Sequence, residues 1–225
     1  MLKNDAEFSF IYTKERAGRM IAIIDYDAGN LKSVEKALQF LKQDVVVTRD
    51  REEILNADKV ILPGVGSFGS AMENLKAYGL DKVIHEVAKR QTPLLGICLG
   101  LQLFFEESEE SPGVKGLGLM KGRILRIPEH EGLKIPHMGW NSLSLSNNGR
   151  LFGGLEDSPY VYFVHSYYLS AEEEETVKAT TWHSTTIHAS VEKGNLFACQ
   201  FHPEKSGKVG LQILKNFAEL EKGEC

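Results

Sequence analysis

Short apolar runs alternate with amphipathic stretches through the first half of this chain, and that alternation admits few folds. The run 20–25 (MIAIID) is uninterrupted and β-branched, as a strand buried on both faces requires. Asn30 stands where a helix cap is expected, followed by Leu31, Val34, Leu38 and Leu41 on one stripe. A strand at 44–48, a short helix at 50–56 and a strand at 59–62 follow. The turn at 63–66 (PGVG) then leads into a helical stretch reaching about Arg90. A further buried strand, 93–97, runs straight into Cys98 and a helix expected through Glu106. Strand and helix in strict succession imply parallel βαβ units: an α/β chain with a mostly parallel, doubly wound sheet and helices on both faces.

The second half is richer in strands, expected at 123–127, 137–145, 160–164, 176–182, 186–191 and 196–200. A last helix, about 208–221, carries Leu211, Leu214, Phe217 and Ala218 on one face. The acidic run 172–175 reads as a solvated loop. With no repeat and no linker in sight, 20–225 is expected to be one domain of a size that buries a full core. Residues 1–19 stand outside the periodic pattern and are expected to be a poorly ordered tail or an upstream start.

The leader carries charges throughout and is no secretory signal, and no run of apolar residues is long enough to span a bilayer. A net charge of -5 argues against binding nucleic acid through a basic face. Three scattered cysteines, Cys98, Cys199 and Cys225, make neither a disulfide framework nor a zinc site. No metal, cofactor, nucleic acid or membrane is therefore expected, and the chain is placed in the cytoplasm, where a reduced thiol can do chemistry.

That thiol is Cys98. Gly96 and Gly100 flank it two residues to either side, between a buried strand and a helix, which is the pattern of a nucleophile elbow. Glycines are needed because such a turn has no room for side chains. Most free cysteines are buried core thiols, and these five residues alone do not decide between the two readings. A nucleophile needs a base, and His202 lies just beyond the strand 196–200, at the end of an open α/β sheet where sites assemble. Glu204, two residues on, is near enough to orient the imidazole. A loop histidine beside a surface carboxylate would look the same in isolation. Elbow and histidine together make Cys98, His202 and Glu204 a candidate triad. The N–H of Leu99 is one natural oxyanion donor, and the loop holding Gly64 and Val65 offers the other. A glycine-rich loop also suits a phosphate site or a plain turn, but the lysine of a phosphate-cradling loop is absent.

In combination these residues resemble the class I, triad-type glutamine amidotransferases: GICLGLQ at 96–102 and HPE at 202–204 look like the two family signatures. DYDAGN at 25–30, PGVGSFG at 63–69, PHMGWN at 136–141 and FVHSY at 163–167 are more narrowly similar to the glutaminase branch that serves imidazole glycerol phosphate synthase in histidine biosynthesis. Asp27 departs from that branch, which usually has glycine there. The resemblance implies that Cys98 attacks the side-chain amide of glutamine, that His202 moves the proton and that Glu204 orients His202. It implies Gln102, with the backbone of Ser166 and Tyr167, at the amino-acid end of the substrate. It also implies a heterodimer with a (β/α)8 cyclase that receives the ammonia, with Pro136, Met138, Trp140 and Asn141 facing it. An inactive turn of the PGVG peptide, held until the cyclase binds its ligand, is a further implication. His137, His165, His183 and His188 are expected to be structural. Three other readings stay open: another synthase's amidotransferase, a free-standing γ-glutamyl cysteine hydrolase, and a catalytically dead binding module.

Overall fold

The computed structural model describes residues 20–221; the expectation for 1–19 lies outside the described residues. The first half alternates as its sequence pattern demands: β1 (Met20–Ile24), α1 (Leu31–Phe40), β2 (Asp44–Thr48), α2 (Arg51–Asn56), β3 (Lys59–Leu62), α3 (Phe68–Ala77), α4 (Leu80–Lys89), β4 (Leu94–Ile97) and α5 (Leu99–Leu103). The second half contributes β5 (Glu107–Ser108), β6 (Gly122–Arg126), β7 (His137–Ser142), β8 (Ser144–Leu145), β9 (Tyr160–His165), β10 (Tyr167–Ala171), β11 (Val177–His183), β12 (Thr185–Lys193), β13 (Leu196–Cys199) and α6 (Gly207–Glu219).

The main sheet runs β2-β1-β3-β4-β13-β12-β11-β8. Its first five strands are parallel and the remaining three antiparallel. Strand residues alternate between two cores. Ala22, Val60, Leu62 and Ala198 pack under α2, α3 and α4, whereas Ile21, Ile23, Ile61 and Phe197 pack under α1 and α6. Burial on both faces explains why these strands read as continuous apolar runs. Two small sheets, β10-β6-β5 and the antiparallel pair β7-β9, sit beside the main one. Among the described residues no helix is long and apolar enough to cross a membrane.

Several expectations need correction. The stretch to Arg90 is two helices, broken at Gly79 in a left-handed turn (φ 67°). The helix after Cys98 stops at Leu103 instead of Glu106, because the N–H groups of Leu117, Gly118 and Leu119 capture the carbonyls of Leu103, Phe105 and Phe104. The expected strand 137–145 is divided into β7 and β8, with Leu143 buried between them. In α6 the core face uses Gly210 and Ile213, and Leu211 is only half-buried, since Gly210 presses against the Pro203 carbonyl. The acidic run closes in a short 3-10 turn at Glu174–Thr176, and Glu173 pairs with Lys193.

Candidate active site

Strand β4 delivers Cys98 into a backbone conformation that an L-residue rarely takes, with φ 55° and ψ -107°. Such strain persists only where its surroundings fix it. Here the Cys98 N–H donates to the Cys199 carbonyl of neighbouring β13 at 2.7 Å. A Cβ on Gly96 would meet the Gly100 carbonyl oxygen at 2.7 Å, and one on Gly100 would enter the Leu62 carbonyl. The two glycines thus let strand, elbow and helix close on one another. Cys98 is 6% exposed, at the floor of a cleft.

His202 leaves β13 on the same side of the sheet and is fully buried. Its Nδ1 lies 2.8 Å from Glu204 Oε1, in a pair whose side chains are both hidden from solvent. Its Nε2 is buried and finds no partner at ordinary hydrogen-bond distance. Burial alone would lower the imidazole pKa, but Cys98 and Glu204 outweigh it and raise it to about 9. Sulfur, imidazole and carboxylate are therefore brought together at one end of the sheet. Asn30 corrects a different expectation. Its side chain caps no helix; its Nδ2 instead donates to Glu204 Oε1 at 3.3 Å, on the oxygen that also faces His202.

The candidate oxyanion residues are close, and the PGVG peptide has its Gly64 carbonyl, not an N–H, turned toward Leu99, the inactive turn that the resemblance implies. The Leu99 N–H donates to the Gly64 carbonyl at 3.4 Å, so this donor is occupied by a peptide oxygen. Tyr26, which sequence reasoning missed, pins the base of this loop by donating its hydroxyl to the Pro63 carbonyl at 2.8 Å. Burial, reinforced by the charge of nearby Cys98, pushes the Tyr26 pKa up and keeps it a donor. A side chain on Gly64 would collide with this hydroxyl and with Leu99.

The cleft has a volume of about 370 Å³ and is lined by Val65, Cys98, Leu99, Gln102, Ser166 and Tyr167, with His202 and Pro136 beside them. That is room for a small amino acid. Gln102 is 5% exposed, and its Nε2 donates to the Tyr167 carbonyl at 3.0 Å. Glu110 and His165 also line the cleft, although the sequence reading proposed neither; Glu110 Oε2 accepts the Phe68 N–H at 2.7 Å. Gln200 was missed as well. It is fully buried, and its Nε2 points at Cys98 Sγ from 3.7 Å. Period two along β13 and its exit, which sets Gln200 beside His202, is the signal that could have found it. A larger, more open cleft over Arg126, Glu129 and His130 shares Ser166 and Tyr167 but holds no nucleophile.

Beside the mouth, β7 presents Met138 and Trp140 outward, 63% and 56% exposed, with Tyr160 of β9 near them. Pro136 follows a cis peptide bond, and Asn141 is half-buried at the strand's far end. His188 Nδ1 accepts the Ala171 N–H at 3.0 Å.

A model of the class I glutamine amidotransferase family matches residues 22–220. The chain is 49% identical over 201 residues to the imidazole glycerol phosphate synthase subunit HisH of Methanocaldococcus jannaschii, covering 89% of this chain and 100% of that one. It is 54% identical over 202 residues to the HisH subunit of Moorella thermoacetica, covering 90% and 95%. Among solved structures, a crystal structure of a glutamine amidotransferase aligns with TM-score 0.68 at 20% identity, covering 87% of this chain and 98% of that one. PurLQS from Thermotoga maritima aligns with TM-score 0.67 at 20% identity, covering 89% and 97%. At such identity these two structures speak for the fold alone.

Proposed function

Because the chain belongs to the class I glutamine amidotransferases, and within them to the HisH family of imidazole glycerol phosphate synthase subunits, we propose that Cys98, His202 and Glu204 carry out its glutaminase reaction. The observation that carries this reading is the fully buried His202, hydrogen-bonded to Glu204 through Nδ1 while its unpartnered Nε2 shares the cleft floor with Cys98.

In the reaction, Cys98 Sγ bonds to the carboxamide carbon of glutamine while His202 takes the thiol proton. The tetrahedral oxyanion collapses, the C–N bond breaks, and His202 returns the proton so that ammonia leaves. A glutamyl thioester remains. Water, deprotonated by His202, attacks it and releases glutamate and the thiol. Glu204 holds the imidazole in the required tautomer and stabilises its charged form. Gln102 and the backbone at Ser166 and Tyr167 seat the amino-acid end, and the Glu110 carboxylate complements the α-ammonium group. The Leu99 N–H and the Gly64–Val65 peptide serve the oxyanion once the Gly64 carbonyl has turned away from Leu99. One such donor is worth roughly a hundred- to a thousandfold in rate.

Ammonia set free in neutral water is protonated and lost as a nucleophile, so the product is passed directly to a partner. That partner is a (β/α)8 cyclase subunit, docked as a heterodimer over Pro136, Met138, Trp140 and Asn141. Glutaminase turnover of the chain alone, and with a cyclase and its ligand, tests the reading beside Cys98→Ala. Turnover that appears with the loaded cyclase and vanishes in Cys98→Ala supports it. Equal turnover of the isolated chain and the loaded complex would contradict the turned-peptide arrangement, and turnover surviving in Cys98→Ala would contradict the nucleophile.

A further inference from the structure

One hydrogen-bonded chain runs from the inner face of strand β7, opposite Met138 and Trp140, to the sulfur of Cys98, and each donor along it is fixed by its neighbour. At the outer end Asn141 Oδ1 accepts the Ser142 N–H at 2.9 Å. Its Nδ2 must therefore serve the other contacts, with the Trp182 carbonyl at 3.0 Å and His137 Nε2 at 3.2 Å. A ring nitrogen that accepts carries no hydrogen, so neutral His137 holds its proton on Nδ1 and donates to His165 Nε2 at 2.9 Å. His165 in turn holds its proton on Nδ1, 2.8 Å from the Tyr167 carbonyl. The two ends agree: the amide nitrogen requires an acceptor, the carbonyl requires a donor, and a single pair of neutral tautomers satisfies both.

The Tyr167 carbonyl is shared. It also accepts Gln102 Nε2, whose second hydrogen reaches Gln200 Oε1 at 3.1 Å. Gln200 then spends its own amide hydrogen on Cys98 Sγ. His137 and His165 are 4% and 6% exposed. Burial, with the neighbouring imidazoles, lowers His137 to about 3 and His165 to about 4, so both rings are neutral near neutral pH. Stacking between Phe163 and His183, with ring centroids 4.6 and 4.2 Å away, leaves His137 no room to swing. The imidazole arm ends on the Tyr167 carbonyl, and that one oxygen also holds Gln102, through which the network reaches Gln200 and the Cys98 sulfur.

We propose that His137, His165 and Gln200 are positioning residues for glutamine hydrolysis, passing the seating of β7 against its partner to the Gln102 amide and the Cys98 sulfur. The proposal rests on the glutaminase reading above. His137→Phe keeps the ring stack and removes the donor, whereas His137→Asn keeps a donor near the Nδ1 position. In the cyclase complex, His137→Phe is expected to raise the KM for glutamine about three- to tenfold with little change in kcat, the loss of one buried hydrogen bond. His137→Asn is expected to restore most of it, and Gln200→Leu to lower kcat. A folded, cyclase-bound His137→Phe with KM within about twofold of wild type would overturn the proposal. So would a His137→Asn variant as impaired as His137→Phe. If His137→Phe fails to fold, imidazole 15N shifts of the wild type decide: two neutral Nδ1–H rings support the chain, and an Nε2–H or charged ring overturns it. Wild-type turnover in the same assay separates the two ideas. Failure of the glutaminase reading removes that rate, whereas failure of the proposal leaves it intact with indifferent variants.

Discussion

The Glu204 side chain is hidden from solvent behind one histidine, and one of its oxygens receives both the His202 ring and the Asn30 amide. A buried carboxylate is costly unless its hydrogen bonds are made. Its neutral amide would neither stabilise the charged imidazole nor fix its tautomer. Glu204→Gln should therefore lower kcat by roughly a hundred- to ten-thousandfold, measured as glutamate release in the cyclase complex, with a small change in KM. The histidines set opposite pH trends. His202 is raised from the ordinary 6.5 to about 9, so its contribution to stability is complete below about 6.5 and is lost as pH rises through about 9. His137 and His165 are lowered, so theirs is complete above about 6.5 and is lost as pH falls toward about 3 for His137 and about 4 for His165. Thermal melts should show stability falling from pH 6.5 toward pH 4, and His165→Asn should flatten that limb; an unchanged limb would contradict the lowered values. At this scale the proximity of Cys98, His202 and Glu204 was legible, because glycine spacing and a histidine at a strand end are local patterns. Asn30 was misread because local rules make it a helix cap, whereas its partner Glu204 lies 174 residues away. No sequence pattern carries a contact of that range.

At the scale of elements, the elbow shows why the sequence pattern was so direct. Parallel strands buried on both faces must be apolar throughout, and a turn with backbone against backbone must have glycine. Gly100→Ala drives a Cβ into the Leu62 carbonyl of β3, where no flexible side chain can give way. It should cost on the order of 3 kcal/mol or more in urea unfolding, with loss of glutaminase turnover. The errors at this scale share a cause. Helix α5 ends at Leu103 because a loop some fifteen residues on takes its carbonyls, and α6 turns Gly210 inward because Pro203 packs there. Asp27, at φ 70°, explains the preference for glycine at that position; here Arg49 and Tyr78 hold its carboxylate at 2.7 and 2.6 Å. Propensity and periodicity see the element, not what packs on its end.

At the scale of the whole molecule, the sheet brings β3, β4 and β13 side by side, so that the PGVG loop, the elbow and His202 emerge at one edge. The β7–β9 pair then sets Met138, Trp140 and Tyr160 as an exposed apolar face beside the same cleft. Trp140→Ala should weaken cyclase binding by about 2 kcal/mol, roughly thirtyfold in Kd by titration calorimetry, while the melting temperature of the isolated chain holds. Unchanged affinity would move the interface elsewhere. The most direct test of the central claim is peptide mass spectrometry after exposure of the cyclase complex to a glutamine-mimicking alkylator. Cys98 should carry the label, buried Cys199 should not, and His202→Ala should slow the labelling strongly. Labelling of Cys199 at an equal rate, or of Cys98 at a rate indifferent to His202, would contradict a nucleophile activated by that histidine.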